Sequence, residues 1–397
     1  MTDARQAPLR SAALLLPLIL AWRQLRAEVT RLLSALAGVM FAAVLVFMQL
    51  GFQAALFDSA TRLLTAMKAE LFLVNPLTVA SFRPEPMPRA RAWQALGVAD
   101  VEEAVPVYLA QSTWRNPQDG SRRAIQVIGF DVEGGAIEVE GLRNIAPALR
   151  SMDTIAFDRW SRPEFGDVAG LFEERGPFPV QIGFRMMDVV GLVTIGSSFG
   201  ADGNLVTSDL NFRRIVSDRK ASDADLVALR LRDGADLSTV QSALRTLLPP
   251  DVTVLNHSEL VARERAYWED ATPIGFIFTF GSVMGLIVGM VIVYQILFSD
   301  VANHLREYAT LKAIGYSNSY LARVVMSASF ILALLGFIPG ALLSTWLYSV
   351  VADATLLPLK MSTARAALVF ALIFSMCAIA GLLAVRKLRD ASPADMF

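Results

Sequence analysis

Histidine and cysteine are the side chains that most readily do acid–base or nucleophilic chemistry near neutral pH, and in 397 residues this chain has two of the first and one of the second. His257 and His304 fall in segments read below as lying on opposite sides of a membrane, which removes most histidine-based catalytic and metal-binding arrangements. Cys377 sits inside an apolar run and closes no disulfide within the chain. No G-x-x-x-x-G-K-[ST] loop is present, so if ATP drives the protein, a partner binds the nucleotide. The glycines of Gly196 to Asn204 have a phosphate-friendly look, but no lysine follows them, and a tight turn after a strand is the plainer account. Gly129, Gly134 and Gly135 fail in the same way. Glu102, Glu103, Glu138, Glu140, Glu173 and Glu174 would serve a membrane enzyme only as pairs with shifted pKa; exposed acidic residues are their ordinary reading.

The elements that would position any of these residues are dominated by apolar runs. The hydrophobic fraction is 54%, the charged fraction 18% and the mean hydropathy +0.47, a composition for lipid rather than water. A formal net charge of -1, with no basic stripe among aromatics, argues against nucleic acid as a partner. Four stretches are long enough to cross about 30 Å of hydrocarbon, which takes about 20 helical residues. They are read as spans at 32–57, 273–298, 324–351 and 366–385. Ala12 to Trp22 is shorter, contains Pro17 and precedes Arg23, Arg26 and Arg31, so residues 1–31 are read as a cytoplasmic or interfacial helix rather than a signal peptide.

Lysine and arginine near the spans set the orientation. Arg5, Arg10, Arg23, Arg26 and Arg31 precede the first span; Arg306, Lys312 and Arg323 follow the second; Arg386, Lys387 and Arg389 follow the fourth. Both termini (1–31 and 386–397) and the 299–323 loop are therefore expected in the cytoplasm, with 352–365 a short outer loop and 58–272 a large outer domain. In that domain Leu226 to Leu231 alternates like a half-buried strand, and Asp233-Gly234 makes a turn. Leu237, Val240, Leu244 and Leu247 then recur at helical spacing, with Ser238 and Gln241 placed as a capping box, before Val252 to Leu255 returns as a strand. Further strands are expected at 71–74, 105–110, 124–130 and 189–195, and helices at 90–96 and 209–216. The fold class is thus an α-helical membrane domain of four transmembrane helices, one plus three, with a large α+β periplasmic domain inserted between helices 1 and 2. The break around Gly196 to Asn204 leaves open whether that domain has one lobe or two.

Gly281, Gly285 and Gly289 lie four apart on the second span, and Gly336 and Gly340 flank Pro339 in the third. Such faces admit close helix contact, either within one subunit or at a dimer interface. Gln49 and Gln53, near the outer end of the first span, bond across helices as packing glue or line a path. Between spans two and three, the charged residues after Asp300, followed by Leu311, Ile314 and Gly315, suit a short amphipathic helix with glycine at C′. A docking element and a bare interfacial turn are both compatible with it.

Glu307 to Tyr316 (EYATLKAIGY) resembles the E-x-x-x-L-[KR]-A-[IM]-G signature that follows the second span of MacB/FtsX-type ABC transporter permeases, and the one-plus-three layout is similar. More narrowly, Phe47 to Ser59, Ser198 to Asn204, Thr272 to Phe278, Val293 to Leu297 and Leu334 to Gly340 resemble DevC-type permeases, in order and over essentially the whole chain. The chain departs from the narrower pattern at His304 to Glu307, where a proline is expected before the glutamate, and in its N-terminal extension. The resemblance implies a homodimeric transport subunit, not an enzyme and without a cofactor of its own, in the bacterial inner membrane. It also implies a separate cytoplasmic ABC ATPase, a periplasmic membrane-fusion adaptor and, through it, an outer-membrane channel. Glu307, Tyr308, Leu311, Lys312, Ala313, Ile314, Gly315 and Tyr316 would be the lever the ATPase pushes, with a lipid, glycolipid or other hydrophobic cargo. The alternative is an FtsX-like regulator that switches a periplasmic hydrolase.

Overall fold

The computed structural model describes residues 7–134 and 137–390; Arg5, Gly135 and the tail 391–397, named above, lie outside them. The described chain forms two units. One comprises residues up to Ala54, Phe276–Ala352 and the chain from Leu359; the other comprises Ala55–Gly275 and Asp353–Pro358.

The first unit is helical. Helix α1 (Ala7–Ala27) precedes α2 (Val29–Thr65), whose residues to Ala54 belong here. In the second unit the helices are α3 (Ala90–Ala95), α4 (Leu142–Leu149), α5 (Val168–Arg175), α6 (Asp209–Ile215), α7 (Leu237–Leu247) and α8 (His257–Ala266). The helical unit is completed by α9 (Pro273–Asn303), α10 (Leu305–Ala313), α11 (Asn318–Thr355) and α12 (Thr363–Asp390). Helices α2, α9, α11 and α12 are long and apolar enough to cross a membrane, with windows of mean hydropathy 2.2 to 2.7. Several run past the spans read from hydropathy: α2 continues to Thr65 and α9 to Asn303, because polar residues such as Arg62 or Asp300 end a hydrophobic window without ending a helix.

Helix α2 is the axis of this unit. Ala35, Val39, Ala42, Ala43, Val46 and Phe47 are all 0% exposed, and they face more than one neighbour. On α9, a Cβ at Gly281, Gly285 or Gly289 would meet Gln49, Leu45 and Ala42 in turn, descending α2, so the two helices run antiparallel. On α11, Gly336 faces Val39 and Gly340 faces Ala43, ascending α2, so these run parallel. The absence of side chains lets the backbones close, and dispersion contacts hold them.

The second unit is built on one nine-stranded sheet. Its strands are β1 (Leu71–Val74), β3 (Val101–Arg115), β4 (Arg122–Phe130), β5 (Thr154–Asp158), β6 (Phe178–Ile182), β7 (Arg185–Val193), β8 (Asn204–Ser208), β10 (Leu226–Leu231) and β11 (Thr253–Asn256). Short strands β2 (Met87–Pro88) and β9 (Asp223–Ala224) pair separately. At one end the order is β11-β1-β10-β3, all antiparallel, with α3 joining β1 to β3 and α7 joining β10 to β11. That is the β-α-β-β-α-β split arrangement. Everything from β4 to β9 is inserted between its second and third strands. The inserted strands follow as β4-β8-β5-β7-β6, and β6 pairs back onto β3 at Trp114 and Arg115, so they close into a ring around Trp114, Phe157, Phe165 and Leu205. Two lobes thus share one sheet through β3 and the β3–β4 pairing.

Two local expectations are corrected. Leu226 to Leu229 are buried on both faces, Val227 and Leu229 against Val240 and Leu244 of α7, and Leu226 and Ala228 against Phe72 and Leu260; only Arg230 is exposed. A strand with helices over both faces loses its alternation. The cap of α7 is Asp236, whose carboxylate accepts from Thr239 N at 2.8 Å, and Gln241 is turned to Val254 O and Glu259 instead of closing a box with Ser238. A reciprocal capping box does occur at α8, between Asn256 and Glu259.

Candidate functional site

The segment after α9 folds as a short helix and a closed turn. Ile314 caps α10; Gly315 N donates to Lys312 O at 3.0 Å and Tyr316 N donates to Leu311 O at 3.0 Å. This pair of bonds is the Schellman motif, and it needs a residue with positive φ at C′, which Gly315 supplies at +105°. Tyr316 then packs against Tyr320 of α11 with ring centroids 4.7 Å apart and the rings tilted by 40°, and Arg323 lies over the Tyr320 ring. Tyr320 N, in turn, donates to Ser317 O at 2.9 Å, so α11 begins immediately after the turn. Little of this segment is free to flex independently of the helices on either side.

The residues read from sequence divide into anchors and exposed groups. Tyr308 is 1% exposed, in the core that also holds Val39 and Ala43 of α2, and its hydroxyl donates to Gln24 Oε1 of α1 at 3.3 Å. Burial pushes the hydroxyl's pKa up, so it stays a donor. Leu311 packs against the same core. Glu307, Ala313, Gly315 and Tyr316 are exposed, Lys312 is half-buried, and Ile314 is 71% exposed at the tip of the turn. Gln24 escaped the sequence reading because its partner is 284 residues away. A second clasp joins the same end of the bundle: Asn303, at the end of α9, accepts from Arg31 Nη1 and Nη2 at 2.6 and 2.7 Å once its amide is oriented to do so, and Arg31 pairs with Glu28 at 2.6 Å.

Gly281, Gly285, Gly289, Gly336 and Gly340 all face α2 of the same chain, and Gln49 packs against Gly281. These faces are packed against α2 within the subunit.

In the sheet unit the glycine-rich Gly196 to Asn204 segment is occupied by the protein itself. Ile195 N, Gly196 N and Asn204 Nδ2 donate to the Asp158 carboxylate at 2.9, 2.7 and 2.8 Å, and Arg62 Nη1 donates to Ile195 O at 2.9 Å. Gly196 has φ +97°, and a Cβ there would collide with Arg62. The loop's donors close on an internal carboxylate rather than on a phosphate. Of the acidic residues weighed as catalytic, all but Glu140 are in surface ion pairs: Glu102 and Glu103 with Arg230, Glu138 with Lys68 and Arg143, Glu173 with Arg159, Glu174 with Arg175. The carboxylates raised by burial are others, namely Asp158, Asp225 and Glu264, and each accepts from backbone N–H groups. Among the described residues no group of three His, Cys, Asp or Glu side chains is placed to hold a metal.

Residues 279–393 match the FtsX-like permease C-terminal family. No curated protein matches the chain. Similar solved structures include the periplasmic region of MacB from Actinobacillus actinomycetemcomitans, at 10% identity, covering 49% of this chain and 92% of that one with a TM-score of 0.37. The extracellular domain of the noncanonic ABC-type transporter YknZ from Gram-positive bacteria is similar at 13% identity, covering 47% of this chain and 99% of that one, TM-score 0.35. A domain of a putative permease from Porphyromonas gingivalis follows at 12% identity, covering 47% and 86%, TM-score 0.29. The matched residues take in most of α9 and all of α10 and α11, including the anchored turn, so this C-terminal stretch is similar to FtsX-like permeases.

Proposed function

We propose that the protein is the permease subunit of an ATP-driven exporter in the bacterial inner membrane, working as a homodimer with both termini in the cytoplasm. A separate ABC ATPase docks on the 307–316 turn. The outer domain engages a periplasmic membrane-fusion adaptor that leads to an outer-membrane channel, and the cargo is a lipid, glycolipid or other hydrophobic molecule. The chain relays mechanical work and leaves hydrolysis to its partner.

One observation carries this reading: the turn exposes Ile314 and Tyr316 while Tyr308 and Leu311 enter the core around α2. A push on the exposed tip reaches α2 through packed side chains, and close-packed interiors transmit displacement rather than absorbing it. The lysine and arginine bias near the spans supports a cytoplasmic position for the turn.

The test is a permease–ATPase–adaptor complex carrying Glu307→Lys with Lys312→Glu, or Ile314→Asp. ATP hydrolysis should continue or fall modestly while export drops at least about tenfold, with dimer assembly unchanged, since about 1.4 kcal/mol of lost coupling is a factor of ten. Full export in both variants would remove the lever role and favour the regulatory alternative.

A further inference from the structure

The geometry points to a binding site for a single anionic phospholipid in the groove between α1 and α11. Leu18, Ile19 and Trp22 of α1 face Phe330, Ile331, Leu334 and Leu335 of α11 across a cavity of about 380 Å³, with Arg23 on its wall. On α1 the lining residues stand at i, i+1, i+4 and i+5, and α11 repeats the same spacing, so two helical faces meet as the sides of a trough. The volume lies within the range of about 300–1,000 Å³ that small-molecule sites occupy.

Two features select the occupant. Every lining residue but Arg23 is apolar or aromatic, which suits acyl chain and offers nothing to a polar ligand's interior. At one end stand Arg23 and Arg26, one turn apart, and among the described residues neither has a carboxylate within ion-pair distance. Gln24, between them, bonds to Tyr308 of the polar α10 segment, so the cations lie where the apolar trough gives way to polar chain. Trp22 beside them has the amphipathic ring that settles at headgroup level. A flat lipid-facing helix takes whatever lipid surrounds it; a trough ending in unpaired guanidinium groups discriminates by headgroup charge, because each basic residue near an anionic headgroup contributes about a fivefold preference.

The full chain is reconstituted in nanodiscs of equal phosphatidylglycerol and phosphatidylethanolamine, released, and its retained lipid counted by native mass spectrometry. One phosphatidylglycerol per chain is expected, favoured about 25-fold over phosphatidylethanolamine, about fivefold from each of Arg23 and Arg26. Arg23→Gln should bring that ratio down to about fivefold. Leu334→Trp, or Ile19→Trp from the opposite wall, should fill the trough and abolish retention. Leu342→Trp, at a position on α11 that is 69% exposed and outside the groove, should change neither. Retention unaltered in both filling variants, or a ratio unaltered by Arg23→Gln, overturns the site. So does a wild-type chain whose trough is covered by a second copy, seen as a lipid-free dimer that Leu334→Trp dissociates. Competition by millimolar inorganic phosphate would shift the ligand from lipid to free anion and overturn it equally.

Discussion

Tyr308 is where the short helix α10 is held, and its two contributions separate by substitution. Tyr308→Phe keeps the ring and leaves Gln24 Oε1, itself buried, without its donor, a loss of about 1–2 kcal/mol. Tyr308→Ala also empties a packed position, and about 3–5 kcal/mol is expected. Melting of the purified protein should therefore show two steps of destabilisation. Export coupled to hydrolysis should fail only with the second if packing rather than the hydrogen bond carries force; equal melting points for the two variants would contradict the anchor. Asp225 gives a separate test in the sheet unit. Burial raises it to about 6 from 3.8, against the pull of Arg219 at 2.8 Å. The native state then keeps a proton that the unfolded chain has lost, so this group's contribution is full below about pH 4 and declines as pH rises to about 6. Asp225→Asn should remove a slope on the order of 2–3 kcal/mol across that window, read from the difference between wild-type and variant melts at pH 4 to 7. At this scale the sequence showed Glu307 to Tyr316 because the segment's logic is local. Neither Gln24 nor the buried Asp158 hub has a local signature, since each is defined by residues remote in the chain.

At the scale of elements, the glycine stripes behave as backbone-approach sites of graded tightness. A Cβ at Gly285 would meet the end of Leu45, a flexible side chain, at 3.1 Å, whereas one at Gly289 would lie 2.5 Å from the Cβ of Ala42, which has nowhere to turn. Gly285→Ala should thus be neutral or slightly stabilising, because alanine favours a helix over glycine by up to about 1 kcal/mol. Gly289→Ala should lose about 1–3 kcal/mol as α9 is forced off α2. Melting in detergent decides it, and equal behaviour of the two would mean that α9 is not seated as described. The spacing of these glycines was legible in sequence; their partner was not, because three helices offer similar apolar faces. The same distinction runs through the sheet unit. Strand β10 is read from its alternation, although the structure buries it on both faces. In β5 and β8, by contrast, burial on every residue removes the period-two pattern by which a strand is recognised. The cap of α7 was misplaced because Asp236, Ser238 and Thr239 are all plausible caps, and only the backbone, extended at Asp236, selects among them.

For the whole molecule, hydropathy suffices to show one span, a large domain and three spans, since twenty apolar residues are a strong signal. The insertion that splits the β-α-β-β-α-β lobe leaves no such mark: β3 and β10 are neighbours in the sheet but more than a hundred residues apart in sequence. The sheet unit runs from Ala55 to Gly275, within a few residues of the 58–272 that hydropathy gives, and it includes the last turns of α2. Leu64, near the end of α2, is 1% exposed and packs with Phe72, Val105 and Leu260, and Arg62 bonds to the Asp158 loop. Those last turns of α2 are part of the sheet unit's core, so a fragment beginning after the helix lacks one wall. Residues 55–275 expressed alone should fold cooperatively, whereas 68–275 should forgo about 1.5–3 kcal/mol from Leu64 and a similar amount from the charged hydrogen bond of Arg62. For a domain of this size each kcal/mol shifts the midpoint by about 2–4 °C, so the shorter fragment should melt at least about 6 °C lower. Equal midpoints would show that the sheet is complete without the helix, and the unit would then begin at β1.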